Sequence, residues 1–349
     1  MSGTRKFVSL GMFIIDEFTF LDVTGKPTGR TLSPQEDLFF LPSLLFQIGG
    51  AGTYANIGAR IWLPAGEIGM IVDKGVDLPQ EFDAALRVYG EDMWFFRAQP
   101  DAGTTRALNA YKGDHRNFQY LTPRIRITPR DLAGTTLFRP ITLHFICSPT
   151  RAAVIMSQVA EVEGWHPISI YEPIPDRCIP EELSALRDVL PLISVLSPNA
   201  EEALGLLSIP LPVTKSRVEL ACQTFLDSGV GPGGAGWVVI RSGSMGAYVA
   251  SRSHPGIWIE AYWGTEERVI DVTGAGNSFL GGLAAGLTLT NGDVFEAAFH
   301  ATVSASYTVE QFALPQITRT SGDVRNEEWN GDSPWGRLQE LKARCASDR

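Results

Sequence analysis

The run Asp271-Val-Thr-Gly-Ala-Gly-Asn277 follows an apolar stretch and opens a segment full of small residues. Thr273, Gly274, Ala275 and Gly276 leave backbone N–H groups free to face an incoming anion. A helix N-terminus adds partial positive charge at the same place. This arrangement suits a phosphate and the charge that develops when a phosphoryl group moves. The next side chain, Asn277, stands where a reacting group would be reached. An amide cannot act as a general base, so residue 277 poses the main chemical question of the chain.

Such residues need elements to hold them. From Thr142 onward the pattern is regular. Strand-like Thr142–Cys147, Pro167–Tyr171, Leu192–Leu196 and Gly236–Ile240 alternate with helix-like Arg151–Glu161, Pro180–Leu190, Ala200–Leu207 and Val213–Leu226. That alternation predicts a parallel sheet with helices on both faces. Gly246–Ala250 and Ile257–Ala261 add strands, and Phe279–Leu289 and Val294–Phe312 read as the last two long helices. In the first of these, Gly281, Gly282, Ala285 and Gly286 let another element pack closely. Toward the N-terminus, Phe7–Ile15 and Glu67–Val72 read as strands, and Thr53–Leu63 and Pro79–Tyr89 as helices. The region from about 94 to 130 alternates Arg, Thr, aromatic and polar residues. Its run Arg-Ile-Arg-Ile-Thr at 124–128 predicts half-exposed strands in a small sheet off the main body. After about 320 the chain turns polar, with Trp329 and Trp335 as anchors.

The 349 residues, 44% apolar and 19% charged, fit a well-packed globular protein of one large or two modest domains. A net charge of −10 argues against a general nucleic-acid binder, while local positive potential still allows a small anionic ligand. The four cysteines have no metal-type spacing; Cys147 and Cys222 fall in apolar segments as buried thiols, which suits a reducing compartment. The five histidines lack metal-ligand spacing as well. No run is long enough to span a membrane and the start of the chain lacks a signal-peptide pattern, so the expected location is the cytoplasm.

At Asp271–Phe279 the chain resembles the second signature of the ribokinase-like (PfkB-type) carbohydrate and nucleoside kinases, Asp-Thr-x-Gly-Ala-Gly-Asp-x-Phe. The resemblance runs over about residues 7–315. It implies an α/β fold in which helices sandwich a mostly parallel sheet, with a small β lid. The kinase domain would cover 1–320, its lid drawn from about 16–45 and 94–130, followed by a polar extension at 321–349. It implies further that Gly274, Ala275 and Gly276 form the anion hole for the transferred phosphoryl group, and that Asp271 and Thr273 organise cation and phosphate. The family's Asp, which takes the proton from the acceptor hydroxyl, is Asn277 here. The same substitution marks the fungal maintenance-of-killer type branch, which this chain resembles. The expectation is a slow kinase, a kinase whose base comes from elsewhere or from its substrate, or a protein that binds without turnover.

Other segments carry the resemblance too. Gly49-Gly50-Ala-Gly-Thr-Tyr54 is similar to the first signature, whose paired glycines approach the sugar; Tyr54 stands where Asn is frequent, and Asn56 lies two residues on. Asp16 falls where a carboxylate receives sugar hydroxyls, and reads equally as a strand-ending turn residue. Asn199-Ala-Glu201-Glu202 is similar to the Asn-x-x-Glu segment that handles Mg²⁺ and phosphate, with Glu202 toward the metal. By itself the same spacing is a helix capping box. Arg241-Ser-Gly243-Ser-Met-Gly246 is similar to the nucleotide-side loop, with Arg241 in place of Thr as a charged fork for phosphate or as a solvated loop residue. Gly113-Asp-His115-Arg116 looks like a lid segment; Arg106 and Arg116 would face an anionic substrate or solvent. The implied ligands are ATP, Mg²⁺ and a small-molecule acceptor, with the protein a monomer or homodimer.

Overall fold

A computed structural model describes residues 4–22, 24–28, 46–112, 115–264 and 266–347. Its main strands are β1 (Phe7–Ser9), β2 (Ile14–Leu21), β3 (Phe46–Gly49), β4 (Ile68–Gly75), β5 (Trp94–Gln99), β6 (Arg106–Lys112), β7 (His115–Tyr120), β8 (Thr142–Cys147), β9 (Ile168–Pro173), β10 (Val195–Leu196), β11 (Trp237–Arg241), β12 (Ala247–Ser251) and β13 (His254–Ile259). The helices are α1 (Ala51–Arg60), α2 (Gln80–Arg87), α3 (Pro149–Ala160), α4 (Leu183–Val189), α5 (Ala200–Leu206), α6 (Lys215–Asp227), α7 (Ala275–Leu289), α8 (Val294–Thr308) and α9 (Pro334–Ser347).

Among the described residues, nine strands make one sheet in the order β13-β12-β11-β10-β9-β8-β1-β4-β5. Pairing is parallel from β11 to β5 and antiparallel at β12 and β13. One apolar cluster packs α1, α7 and α8 on one face; a second packs α3 to α6 on the other. From β1 the order runs one way to β4 and β5 and the other way to β8–β11. The carboxyl ends of β1 and β8 therefore flank a switch point, where open α/β sheets bind ligands. A separate small sheet has the order β3-β2-β6-β7 and takes in part of the expected lid.

Three expectations change. The single strand Phe7–Ile15 is two, one in each sheet. The break falls at Gly11, where the chain crosses the start of α1; a Cβ there would stand 2.4 Å from the Gly52 nitrogen. The segment from about 94 divides, because β5 pairs with β4 in the large sheet and buried Trp94 donates to the Leu86 carbonyl at 2.7 Å. Residues 124–128 form no strand. Pro123 and Pro129 flank them and cannot donate to a ladder, and Thr128 instead begins a capping box with Asp131. Of the proposed lid, residues 29–45 lie outside the described residues.

The polar C-terminal segment holds a helix that the sequence reading left out. Leu338 and Leu341 of α9 are buried, and Trp335 meets Trp62 edge-on with ring centroids 5.3 Å apart. Trp329 is fully buried and stacks on Tyr89.

Candidate active site

Helix α7 begins without a side-chain cap. Gly274 takes φ +76°, a left-handed conformation that glycine adopts without strain. Asp271 accepts the Thr273 N–H at 2.9 Å, and the Val272 carbonyl accepts the Ala275 N–H at 3.2 Å. Those two amides are spent in shaping the turn. The N–H groups of Gly274, Gly276 and Asn277 find no protein acceptor among the described residues, and the turn is only half-buried. The expected four-amide cradle is thus an open set centred on Gly274 and Gly276, at the positive end of a fifteen-residue helix.

Close packing brings the first glycine pair to this turn. A Cβ on Gly281 would stand 1.7 Å from the Ala55 carbonyl oxygen, and one on Gly58 would stand 2.0 Å from that of Ser278. Helices α1 and α7 therefore touch backbone to backbone. As a result the buried Tyr54 ring lies against Gly274, where a Cβ would be 2.2 Å from the ring. Gly50 caps α1 at φ +95°, and the Asp16 carboxylate folds over Gly49. Asp16, Gly49, Gly50, Tyr54 and Gly274 therefore lie side by side, with Asp16, Gly49 and Tyr54 buried. Asn56 does not stand in for Tyr54: it is fully buried, and its Nδ2 donates to the Gly52 carbonyl within α1. Arg106 pairs with Glu17 and Asp77. Arg116 sits on β7 opposite Tyr111, and its side chain lies outside what is described.

Beneath the turn lies a buried polar network built from the carboxyl ends of the parallel strands. Arg241 ends β11 and is only 11% exposed at its side chain. Its Nη2 meets Glu172 Oε1 at 2.8 Å and donates to the Ser197 carbonyl at 3.1 Å; Glu202 Oε2 lies 3.6 Å away. A Cβ on Gly276 would stand 2.1 Å from Nη1, so the guanidinium underlies the anion turn, and its Nε is buried without a partner. Arg241 is thus neither a solvated loop residue nor a free fork.

Glu172, on β9, also accepts from Asn277 Nδ2 at 2.8 Å, and His144 Nε2 lies 3.4 Å from the same oxygen. His144 Nδ1 pairs with Ser9 Oγ at 2.9 Å. Burial by itself raises the Glu172 carboxyl, but Arg241, His144 and Asn277 together hold it below the usual carboxylate range. Glu202 goes the other way. Burial pushes it up to about 7, against Arg241, and the neighbouring Glu172 charge adds to the rise.

Asn199 and Glu202 make the capping box in full: Glu202 N–H donates to Asn199 Oδ1 at 2.8 Å, and Asn199 N–H to Glu202 Oε2 at 2.7 Å. Asn199 Nδ2 holds Glu202 Oε1 at 2.7 Å. Both oxygens of Glu202 are therefore engaged. Each oxygen keeps a further acceptor site, which fits a role toward Mg²⁺ either directly or through its bound water. Among the described residues no cluster of three acidic, His or Cys side chains fits a metal. Gly243 and Gly246 belong to the tight β11–β12 connection, where Ser242 N–H donates to the Gly246 carbonyl at 2.7 Å.

The sequence reading missed Ser9, His144 and Glu172. They come from three strands widely separated in the chain, so no local spacing announces them. Ser9 ends β1, Glu172 lies one residue before the end of β9 and His144 is inside β8, positions that become neighbours only once the sheet is formed.

The sequence profile of the pfkB family carbohydrate kinases matches residues 148–315. The chain is 33% identical to an uncharacterized protein of Schizosaccharomyces pombe over 98% of its own length and 94% of that protein's. It is 32% identical to Protein MAK32 of Saccharomyces cerevisiae, over 83% of this chain and 84% of that one. Among solved structures, a putative ribokinase II of E. coli in complex with ATP and Mg²⁺ superposes with a TM-score of 0.60 at 17% identity, covering 98% and 99% of the two chains.

Proposed function

Because the chain belongs to the pfkB family of carbohydrate kinases, we propose that it transfers the terminal phosphoryl group of ATP to a hydroxyl of a small molecule such as a sugar or nucleoside. The observation that carries this reading is the open amide pair at Gly274 and Gly276, set at an uncapped helix start with the Arg241 guanidinium beneath. Preorganised donors of this kind stabilise charge as it develops, and phosphoryl transfer through a loose transition state depends mainly on them.

The acceptor would lie between Asp16, Gly49 and Gly50 and the α7 turn, with Tyr54 closing one side. Mg²⁺ would be held by triphosphate oxygens and water, and Glu202 and Asn199 would act on that water. The acceptor oxygen forms the new P–O bond while the bond to the β-phosphate breaks, its electron pair leaving with ADP. Asn277 accepts a hydrogen bond from the hydroxyl but not its proton, which passes to a nonbridging oxygen of the transferred group. Turnover is therefore slower than with a positioned carboxylate, by up to about 10²–10⁴-fold. The four cysteines are free thiols, in keeping with a reducing, cytoplasmic setting.

Asn277 also favours a second reading, a protein that binds nucleotide in a regulatory role. Incubation with ATP, Mg²⁺ and a metabolite mixture, followed by mass spectrometry, separates the two. A new phosphorylated species establishes the kinase; nucleotide binding with none supports the regulator; loss of both ends the kinase-derived reading.

A further inference from the structure

Asn277 makes one contact that decides which way its amide faces. Its Nδ2 donates to Glu172 Oε2 at 2.8 Å, and a carboxylate can only accept there, so the orientation is fixed by chemistry. Oδ1 is left with no protein partner among the described residues and is not a buried, unsatisfied atom, so it is accessible at the half-buried start of α7. Glu172 is 3% exposed and is itself fixed, by Arg241 Nη2 on one oxygen and by Asn277 with the more distant His144 on the other.

We propose that Glu172 is a positioning residue for the phosphoryl transfer inferred above, holding Asn277 with its carbonyl oxygen toward the acceptor hydroxyl and polarising that amide with its own charge. The inference rests on the kinase reading. A negative charge on the donor side of an amide strengthens the acceptor on its other side. The site thus keeps its carboxylate one residue further back and reaches the acceptor through a neutral relay. Asn277 orients the hydroxyl and takes no proton.

The same geometry explains why a carboxylate at 277 does not fit beside this neighbour. Asn277→Asp would put two carboxylates about 2.8 Å apart, and such a pair cannot ionise together without cost. The groups facing Glu172 are His144 from β8, Arg241 from β11 and, across Arg241, Glu202 from α5. The one guanidinium is already shared between the two glutamates. Restoring the family's Asp alone therefore fails to restore activity. The double change Glu172→Gln with Asn277→Asp reverses the hydrogen bond and moves the charge to 277.

The test uses the full chain as wild type, Glu172→Gln, Asn277→Asp and the double variant. The readouts are ADP affinity by calorimetry, phosphate transfer or release from [γ-³²P]ATP with Mg²⁺, and Tm from pH 5 to 8. Glu172→Gln is expected to lower turnover at least about tenfold while ADP affinity holds or tightens, because Arg241 loses a competing anion. A merely structural role would weaken both. Asn277→Asp is expected to lose Tm as pH rises, and the double variant to regain Tm and to turn over faster than Asn277→Asp alone. The inference is overturned if Glu172→Gln leaves turnover at the wild-type value, or if the Tm of Asn277→Asp neither depends on pH nor responds to Glu172→Gln. A wild type that neither binds ADP nor releases phosphate ends the kinase reading and with it the positioning role. The Tm series would then still decide whether Glu172 and residue 277 share one charge.

Discussion

Two buried arginines show how differently one residue type is used in this molecule. Arg60, near the end of α1, meets Glu327 in a bidentate pair at 2.7 and 2.8 Å, and its Nε donates to the Tyr89 carbonyl at 2.8 Å. Each of its nitrogens has an acceptor, and the pair clamps the C-terminal segment to the core. Arg241 lies as deep but is unevenly paired. Its Nη2 is drawn toward two carboxylates and a carbonyl, its Nε has no partner, and its Nη1 underlies an open anion turn. A completed buried pair reads as architecture. A buried cation with unused donors beneath open amides reads as a place kept for an anion.

The largest effect should come from breaking the completed pair. Glu327→Ala leaves the Arg60 guanidinium buried and uncompensated, a loss of about 3–5 kcal/mol. Chemical denaturation should register it as a lower midpoint, with ADP affinity unchanged in the fraction that remains folded. If affinity falls in step with stability, the two regions are not separable and the contrast collapses.

Next comes the open turn. Gly276→Val drives a branched side chain toward the Arg241 Nη1 position, where even a Cβ would stand 2.1 Å away, and so displaces the guanidinium from beneath the amides. The expected loss in phosphate transfer is on the order of 10²–10³-fold, the scale of one oxyanion donor, with a far smaller change in Tm than Glu327→Ala gives. An intact rate in this variant would remove the α7 turn from the chemistry.

The same two regions mark how far the sequence could be read. The large sheet and its helices were legible because each strand–helix unit is built from neighbouring residues, and hydrophobic periodicity reports local structure directly. The α7 turn was legible because its glycines and Asp271 act on amides within a few positions. Glu172, His144 and Ser9 were not, because their meeting is made by parallel strand order and leaves no spacing in the chain. Helix α9 is not announced because its inward face, buried Leu338 and Leu341 with half-buried Trp335 and Cys345, is diluted by charged neighbours. Residues 124–128 misled because alternation suggests a strand even where flanking prolines deny it a ladder.

A smaller effect should follow from Asn199→Ala. It removes the side chain that caps α5 and the amide that holds Glu202 Oε1. The cap is worth about 1 kcal/mol, measurable by denaturation. The freed Glu202 carboxylate should also make nucleotide binding more dependent on Mg²⁺ concentration. A variant with the lost stability and an unaltered Mg²⁺ response would assign the Asn199–Glu202 spacing to capping alone.

The smallest expected effect is a slope. Glu202 is raised to about 7 from an ordinary value of 4.5, by burial and by the Glu172 charge, with Arg241 opposing. Between those two pH values the folded chain holds more protons on Glu202 than the unfolded chain does. The Glu202 contribution to stability therefore falls as pH rises from about 4.5 to about 7 and levels off above. Glu172 acts in the opposite sense and at lower pH, since its carboxyl is held below the usual range and its contribution is lost on acidification. Glu202→Gln should flatten the upper slope and leave the acid limb unchanged. If Glu202→Gln keeps the wild-type slope, Glu202 is ionised in the fold, and the uneven pairing around Arg241 carries less charge tension than its geometry implies.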